Sequence, residues 1–249
     1  MLALYHNDMS LCAQKVRVCL AEKRLPWEDR HIVLRSGEHQ KDWYVKLNRR
    51  AVVPTLIDGD KVIPESNVIL EYLDEVFPDL PLRPAGAYER AMMRLWVYNS
   101  EEMAHWNVNV CSHNLRHAKR MEARYSREEL LRAADQCSNP MIALRLKRRL
   151  HVGVSTEEES EAYAKLEFML KQMEIKLADG PWLAGQSFSL ADVAMAPMIN
   201  RIEVLARPEM IEAARRPRVA DWWQRIQARP GFQEAFAFKN PDQSDPVKR

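Results

Sequence analysis

The chain has 249 residues and a formal net charge of +2, with 29% charged and 47% hydrophobic residues. This composition is typical of a globular protein and excludes an intrinsically disordered chain. The small net charge gives no electrostatic reason to expect nucleic acid as a partner. No apolar run reaches the roughly 18 residues that a membrane helix needs, and the start MLALYHND lacks the apolar core of a signal peptide. We therefore expect a cytoplasmic protein that does not enter a membrane.

Strand and helix patterns alternate over the first 77 residues. LALYH predicts a strand, QKVRVCLAEK has apolar residues at helical spacing, and WEDRHIVL ends in a β-branched run. Two short apolar runs around Asp58-Gly59-Asp60 predict a hairpin. The helix predicted for SNVILEYLDEVF has five apolar residues on one face: Val68, Ile69, Tyr72, Leu73 and Val76. This order predicts an α/β domain with a mixed sheet over residues 1–77.

The β signal ends at a linker predicted for residues 78–87, which carry three prolines and a glycine in PDLPLRPAGA. Residues 88–249 have helical periodicity and predict an all-α domain. One helix carries an apolar stripe that predicts core packing: Ala162, Leu166, Met169, Leu170, Met173 and Leu177. Residues 116–151 are basic, and Asn139-Pro140 interrupts their helical pattern. They predict either a solvated helical excursion or a patch for an anionic substrate.

The four cysteines follow no zinc-binding spacing: Cys12, Cys19, Cys111 and Cys137. We expect reduced thiols and no metal site.

The segment MSLCAQK places Ser10 and Cys12 at a strand-to-helix junction, at the start of the first helix. The partial positive charge there stabilises a nearby thiolate. That thiolate could belong to a ligand, with the Ser10 hydroxyl donating to it, or to Cys12 itself. The alternative is a serine N-cap beside a small buried cysteine.

Pro54 lies between two strand-like runs, where it removes a ladder hydrogen bond and so belongs at a sheet edge or in a special turn. If the Val53-Pro54 bond is cis, the backbone N–H and C=O of Val53 point sideways and could pair with an extended peptide. An ordinary trans proline is the alternative.

The segment PES, residues 64–66, ends a strand and opens a helix. The first N–H groups of that helix and the Ser66 hydroxyl could bind a carboxylate, and Glu65 could pair with an ammonium group. A carboxylate and an ammonium on one carbon form the end of an α-amino acid. Ser66 as a plain N-cap is the alternative.

Nearly the whole chain resembles the soluble glutathione transferases. NRRAVVPTL followed by GDKVIPES resembles the family's N-P-x-x-x-V-P-x-L…E/Q-S segment, and GPWLAGQSFSLADVAMAPMINRI resembles its W-L-x-G…S-x-A-D segment. The resemblance implies a thioredoxin-like N-terminal domain, an all-α C-terminal domain and a homodimer. The residues themselves predict a capping box from Ser189 to Asp192, with Phe188 and Val193 placed for a hydrophobic staple.

The resemblance also implies that glutathione lies along the first domain. Val53 would pair with its cysteinyl backbone, and Glu65 and Ser66 would hold its γ-glutamyl end. GEHQK resembles the G-E-H-K of the plant phi class, which implies that His39 and Gln40 reach the glycine carboxylate; a plain surface histidine is the alternative.

Two positions depart from the family pattern. Arg49 stands where the family usually has proline, and Val52 stands where several classes have a glutamine or lysine that contacts glutathione. Either change could alter the affinity for glutathione, and Arg49 or Arg50 could supply a substitute cation.

The S-x-C at residues 10–12 resembles the zeta class, which implies that Ser10 assists the glutathione thiolate. LYHNDMSLCAQKVR resembles the tetrachlorohydroquinone reductive dehalogenases, which implies that Cys12 resolves a mixed disulfide with glutathione. We predict a glutathione transferase of detoxification that attacks a small hydrophobic electrophile, with Ser10 as the principal and Cys12 as a secondary catalytic residue. The alternatives are a glutathione-dependent reductive dehalogenase, β-etherase or thiol-disulfide reductase that uses Cys12, and a non-catalytic ligand- or partner-binding protein.

The electrophile is expected between the first domain and one helix of the second. The residues of interest on that helix are Met103, Trp106, Asn109, Val110 and His113. Its aromatic residues could equally belong to the core or to a dimer interface.

Overall fold

A four-stranded mixed sheet forms the N-terminal part of the computed structural model, which describes residues 1–113, 126–137 and 139–238. The strands are β1 (Leu2–His6), β2 (Trp27–His31), β3 (Thr55–Asp58) and β4 (Lys61–Pro64), in the order β2-β1-β3-β4. β1 and β2 are parallel, and the other two pairs are antiparallel. The predicted thioredoxin-like α/β arrangement with a mixed sheet is confirmed.

The hairpin of β3 and β4 determines where the predicted binding residues emerge from the sheet. Gly59 has a φ of 61°, a conformation that glycine adopts without steric cost, and it turns the chain back beside Asp60. Thr55 pairs with Pro64 at the open end of the hairpin. The chain before Thr55 and the chain after Pro64 therefore lie at the same end of the sheet.

Three helices accompany the strands: α1 (Leu11–Glu22), α2 (Asp42–Leu47) and α3 (Ser66–Val76). The apolar face predicted for α3 is partly wrong. Ile69 and Leu73 are fully buried, but Val68 and Val76 are 55% and 45% exposed. The buried face of α3 instead includes Asp74. Asp74 Oδ1 accepts hydrogen bonds from Lys23 Nζ at 2.9 Å and from the Leu82 N–H at 2.7 Å.

The rest of the described chain is helical, with no β-strand after Pro64 among the described residues. Its elements are α4 (Ala87–Asn99), a π-helical segment (Ser100–His105), α5 (Trp106–Ser112), α6 (Arg127–Asp135), α7 (Pro140–Val152), α8 (Thr156–Lys176), α9 (Leu190–Arg201), a second π-helical segment (Ile202–Ala206), α10 (Pro217–Gln227) and α11 (Pro230–Ala237). The predicted all-α architecture is confirmed. The stripe on α8 lies in the core, as predicted: Ala162, Leu166, Met169, Leu170, Met173 and Leu177.

The predicted capping box is present at the start of α9. The Ser189 hydroxyl accepts from the Ala191 N–H at 3.3 Å, and Asp192 Oδ2 accepts from the Ser189 N–H at 3.0 Å. Asp192 also accepts from the Leu183 N–H and from Trp222 Nε1–H, so this one carboxylate joins α9, α10 and the loop between α8 and α9.

The basic excursion is helical on both sides of the predicted break. Ser126 is the N-cap of α6 and forms a capping box with Glu129, and α7 starts at Pro140. A proline at the first helical position costs no hydrogen bond, which explains the break. Residues 116–125 and 138 of the excursion lie outside the described residues. Among the helices that the structure describes, none is long and apolar enough to cross a membrane.

Candidate active site

A buried lysine brings together the three elements that form the candidate site. Lys15 is fully buried, and its ammonium donates to Asn67 Oδ1 at 3.2 Å, Ser100 Oγ at 2.9 Å and Glu101 Oε2 at 3.4 Å. All three ammonium donors therefore have partners, which a buried charge requires. Asn67 directly follows Ser66. The first turns of α1 and α3 consequently meet the π-helical segment at this lysine.

Ser10 is the N-cap of α1. Its backbone is extended, and its hydroxyl oxygen accepts from the Ala13 N–H at 3.3 Å. The predicted N-cap role is confirmed, and it does not compete with a catalytic one. A hydroxyl that accepts a hydrogen bond keeps its own proton, so Ser10 could donate it to a thiolate at the positive end of the helix.

Val53 lies just before β3, outside the ladder that begins at Thr55. The Val53-Pro54 peptide bond is cis. The preceding Val52 carbonyl is held by two donors, Asn48 Nδ2 at 3.0 Å and the Tyr44 hydroxyl at 2.8 Å. This loop places the Val53 backbone beside the end of the sheet rather than in it, the arrangement in which it could pair with an extended peptide.

Glu65 and Ser66 emerge at the same end of the hairpin. Glu65 has a φ of 70° and occupies the N-cap position without a side-chain capping bond, and Ser66 is the first residue of α3. The reading of Ser66 as a plain N-cap is therefore wrong. The first N–H groups of α3 receive no side-chain cap from the described residues and can serve an anion. A non-glycine residue at such a φ costs about 1–3 kcal/mol and is common at functional sites.

Arg50 occupies part of the predicted ammonium site. Its Nη1 donates to Glu65 Oε1 at 2.6 Å, with both side chains partly exposed. Arg50 is thus paired with Glu65, and the supply of a substitute cation by Arg49 or Arg50 stays a prediction. An ammonium group of a ligand would share this carboxylate with Arg50 or displace it.

His39 and Gln40 lie in a 3-10 turn, Glu38–Gln40, between β2 and α2. His39 Nε2 and Gln40 Nε2 are 3.3 Å apart, and burial lowers the pKa of His39. His39 Nδ1 is buried without a hydrogen-bond partner among the described residues. No hydrogen bond or ion pair in the described part of the chain joins this turn to Glu65 or Ser66. Their role toward a glycine carboxylate stays a prediction.

The sequence reasoning missed the residues that Cys12 contacts. Cys12 Sγ lies 3.7 Å from His105 Nε2 and 3.9 Å from Glu101 Oε2. The other ring nitrogen of His105, Nδ1, is 2.7 Å from Glu101 Oε1. A thiol, an imidazole and an orienting carboxylate in series form the arrangement that activates cysteine nucleophiles.

The π-helical segment Ser100–His105 supplies both partners of Cys12. π-helical turns inside α-helices are rare and frequently lie at functional sites. A glutamate four residues before a histidine is visible in EEMAHW. Nothing in the sequence indicates that these two residues meet a cysteine 89 and 93 positions earlier.

Charge interactions favour the thiolate form of Cys12. Burial alone raises the pKa of Cys12, but the charge and hydrogen bond of His105 and the charge of Lys15 lower it below its usual value. Burial lowers the pKa of His105, but its interactions with Cys12 and Glu101 raise it to about 10. Burial raises the pKa of Glu101, yet His105 and Lys15 lower it to about 2. At neutral pH Glu101 is therefore a carboxylate and His105 an imidazolium, and the charge of that imidazolium favours the thiolate form of Cys12.

The ligand atoms of Cys12, Glu101 and His105 lie within 4.8 Å of one another, a spacing that a metal ion could bridge. The buried Lys15 ammonium beside Glu101 opposes a divalent cation there and favours a thiolate. All four cysteines of the chain are thiols.

Replacing His105 by glutamine should shift the pH dependence of Cys12 alkylation upward. The imidazolium lowers the pKa of Cys12, so its removal leaves less thiolate at neutral pH. Alkylation by iodoacetamide, followed by mass spectrometry of the Cys12 peptide, measures this shift. His113→Gln is the matched control, because it removes another half-buried histidine without a described contact to Cys12. Identical pH profiles for His105→Gln and the unaltered chain would exclude the thiolate–imidazolium pair.

The helix expected to face the electrophile packs part of its side chains in the core, which was one alternative for its aromatic residues. Val110 lies in the core, and Met103 and Trp106 pack partly against it. Asn109 donates back to the His105 carbonyl at 2.9 Å. Burial and the charge of Arg149 lower the pKa of His113 to about 4. Among the described residues of this helix, Ser100, Glu101 and His105 contact side chains of α1.

Models of known protein families match the N-terminal and the C-terminal part of the chain separately. The model described as "Glutathione S-transferase, N-terminal domain" matches residues 4–81, and that described as "Glutathione S-transferase, C-terminal domain" matches residues 141–230. Protein LigF of Sphingobium sp. (strain NBRC 103272 / SYK-6) is 30% identical over 94% of this chain and 93% of its own. The tetrachloro-p-hydroquinone reductive dehalogenase of Sphingobium chlorophenolicum is 27% identical over 96% of both chains.

Among solved structures, the crystal structure of the β-etherase LigF from Sphingobium sp. strain SYK-6 superposes with a TM-score of 0.86. It is 29% identical and covers 95% of this chain and 98% of that one.

Proposed function

The chain belongs to the glutathione S-transferase family, and we propose that its Ser10 hydroxyl activates the thiolate of bound glutathione for attack on a small hydrophobic electrophile. The observation that carries this proposal is the junction at Lys15. There the N-terminus of α1, with Ser10 and Cys12, adjoins the uncapped N-terminus of α3, with Ser66.

Glutathione would lie across this junction in an extended conformation. Its γ-glutamyl carboxylate would accept from the first N–H groups of α3 and from Ser66, and its ammonium would pair with Glu65. Its cysteinyl backbone would pair with Val53. These contacts direct the cysteinyl side chain toward the N-terminus of α1, and His39 and Gln40 would receive the glycine carboxylate.

The reaction then needs few protein groups. The Ser10 O–H donates to the glutathione sulfur, and the positive end of α1 favours its deprotonated form. The thiolate attacks the electrophile, a carbon–sulfur bond forms, and the leaving group departs with the electron pair of the bond that breaks.

In this proposal each part of the chain has its own role. Residues 1–77 bind glutathione, residues 88–249 bind the electrophile, and residues 78–87 link the two. We further propose a cytoplasmic homodimer of detoxification. Exposed apolar side chains on α3 and α4 support the dimer: Val68, Leu95 and Tyr98.

A second candidate function is thiol exchange at Cys12, and its contact with His105 favours it. The Cys12 thiolate would attack the sulfur of a glutathione mixed disulfide, forming a disulfide with glutathione and releasing the other thiol. A second glutathione thiolate would then regenerate Cys12 and leave as glutathione disulfide. The names of the relatives support two related alternatives, β-ether cleavage and reductive dehalogenation.

Replacing both Glu65 and Ser66 by alanine should weaken glutathione binding by about 2–4 kcal/mol, the loss expected for charge-assisted hydrogen bonds. Titration calorimetry with glutathione measures this change. Glu75→Ala is the control, because it removes one carboxylate from the far end of the same helix. Unchanged affinity in the double variant would refute the binding site, and failure of the unaltered chain to bind glutathione would favour the non-catalytic alternative.

A further inference from the structure

Helix α7 crosses from the proposed glutathione site to α5. At its start, Asn139 Nδ2 donates to the Arg50 carbonyl at 3.1 Å, and Arg50 in turn contacts Glu65. Farther along α7, two arginines lie over the indole ring of Trp106, the residue that follows His105. Because an α-helix rises about 1.5 Å per residue, Arg145 and Arg149 lie roughly 9 and 15 Å beyond Asn139. That span matches the size of a small aromatic molecule.

The two arginines lie on one face of α7, four residues apart. The Arg145 guanidinium carbon is 3.9 Å from the centre of the Trp106 ring, and that of Arg149 is 5.0 Å from it. Stacking uses the flat face of a guanidinium and leaves the N–H groups at its edge available for a planar anion.

Neither arginine forms an ion pair with a carboxylate in the described part of the chain, and the nearest acidic charge acting on Arg149 is that of Glu158. No ion pair or hydrogen bond to a carboxylate involves Arg145 or Arg149, and Arg149 Nη2 is buried without a hydrogen-bond partner. Arg148, between them, points outward and pairs with Glu158 at 3.6 Å. Burial lowers the pKa of both stacked arginines, and for Arg149 the charge of Glu158 offsets this only in part.

We propose that Arg145 and Arg149 bind an anionic group, a carboxylate or phenolate, on the aromatic electrophile, with Trp106 forming one wall of its site. This inference rests on the proposed function, since it names the class of electrophile that the glutathione thiolate attacks. The uncharged side of the electrophile would face Cys12 and His105. His105 directly precedes Trp106 in the chain and contacts Cys12 on α1.

Two glutathione conjugates test the proposal by binding alone. One carries a dinitrophenyl ring on sulfur, and the other carries the same ring with an added carboxylate. Calorimetry should show that the carboxylated conjugate binds about 10- to 100-fold more tightly, the ratio that corresponds to a charge-assisted hydrogen bond. In the double variant Arg145→Gln/Arg149→Gln this ratio should fall to about one. In the control Arg148→Gln, which removes the same charge from the outer face of α7, it should persist.

Four results would overturn the proposal. Equal affinity of the unaltered chain for the two conjugates would show that the arginines do not select an anion. A loss of affinity for glutathione itself in the double variant would assign the arginines to the glycine carboxylate of glutathione. An equal fall of the affinity ratio in Arg148→Gln would show that the preference for the carboxylated conjugate comes from the overall charge of the protein. Binding of neither conjugate, with no binding of glutathione, would overturn the proposed function as well.

Discussion

Replacing Asp192 by alanine is expected to lower the free energy of unfolding by about 3–5 kcal/mol, beyond the roughly 0.5–2 kcal/mol of an exposed N-cap. Asp192 is fully buried. Its Oδ1 accepts from the Leu183 N–H at 3.0 Å and from Trp222 Nε1–H at 2.8 Å, and its Oδ2 accepts from the Ser189 N–H and hydroxyl. Alanine leaves four buried donors without an acceptor.

Urea denaturation followed by tryptophan fluorescence and circular dichroism measures this loss. Asp179→Ala is the matched control, because Asp179 is an exposed aspartate just after α8 whose contact with Lys176 lies at the surface. The change should leave glutathione affinity nearly unaltered at temperatures where the variant is folded. A transition midpoint for Asp192→Ala equal to that of Asp179→Ala would refute the structural role.

Replacing Ser10 by alanine is expected to lower kcat/KM by about 10- to 1000-fold, or about 1.4–4 kcal/mol of transition-state stabilisation. In the proposed function the hydroxyl donates to the glutathione thiolate, and a methyl group cannot replace that donor. Ser10→Thr retains both the hydroxyl and the helix cap, so it should recover most of the activity and separates catalysis from capping. Steady-state rates with an electrophile from a panel of aryl halides, β-aryl ethers, isothiocyanates and mixed disulfides provide the measurement.

The same assay distinguishes Ser10 from Cys12. In a simple transfer reaction Cys12→Ser should change the rate little, because the nucleophile belongs to glutathione. In a reductive dehalogenation it should stop the reaction after the first attack and leave a glutathione conjugate. Full activity in Ser10→Ala together with no activity in Cys12→Ser would reverse the assignment of the principal residue.

Local sequence signals predicted the features that depend on neighbouring residues. Asp58-Gly59-Asp60 marked the hairpin, and that hairpin placed Val53 and Ser66 at one end of the sheet. The capping box from Ser189 to Asp192 was visible because its two residues are three positions apart. These elements follow from backbone geometry and hydrogen bonding over a few residues.

Features that depend on contacts between distant segments were not predictable in the same way. The orientation of α3 depends on the buried pair of Asp74 and Lys23, which lie 51 positions apart. The environment of Cys12 depends on a π-helical segment, which periodicity does not reveal, and on the packing of that segment against α1. The pairing of Arg50 with Glu65 likewise arises only when the hairpin closes.

The most direct test of the central claim is the pKa of the glutathione thiol when bound. The difference in ultraviolet absorbance between the glutathione-bound and the ligand-free protein measures it, with Cys12→Ser as the background so that the Cys12 thiolate does not contribute and the remaining cysteines cancel. We predict that this pKa lies well below that of free glutathione in Cys12→Ser and rises when Ser10→Ala is added, because the hydroxyl donor is lost. An equal pKa in the two variants, with glutathione bound to both, would contradict the assignment of Ser10 as the group that activates the thiolate.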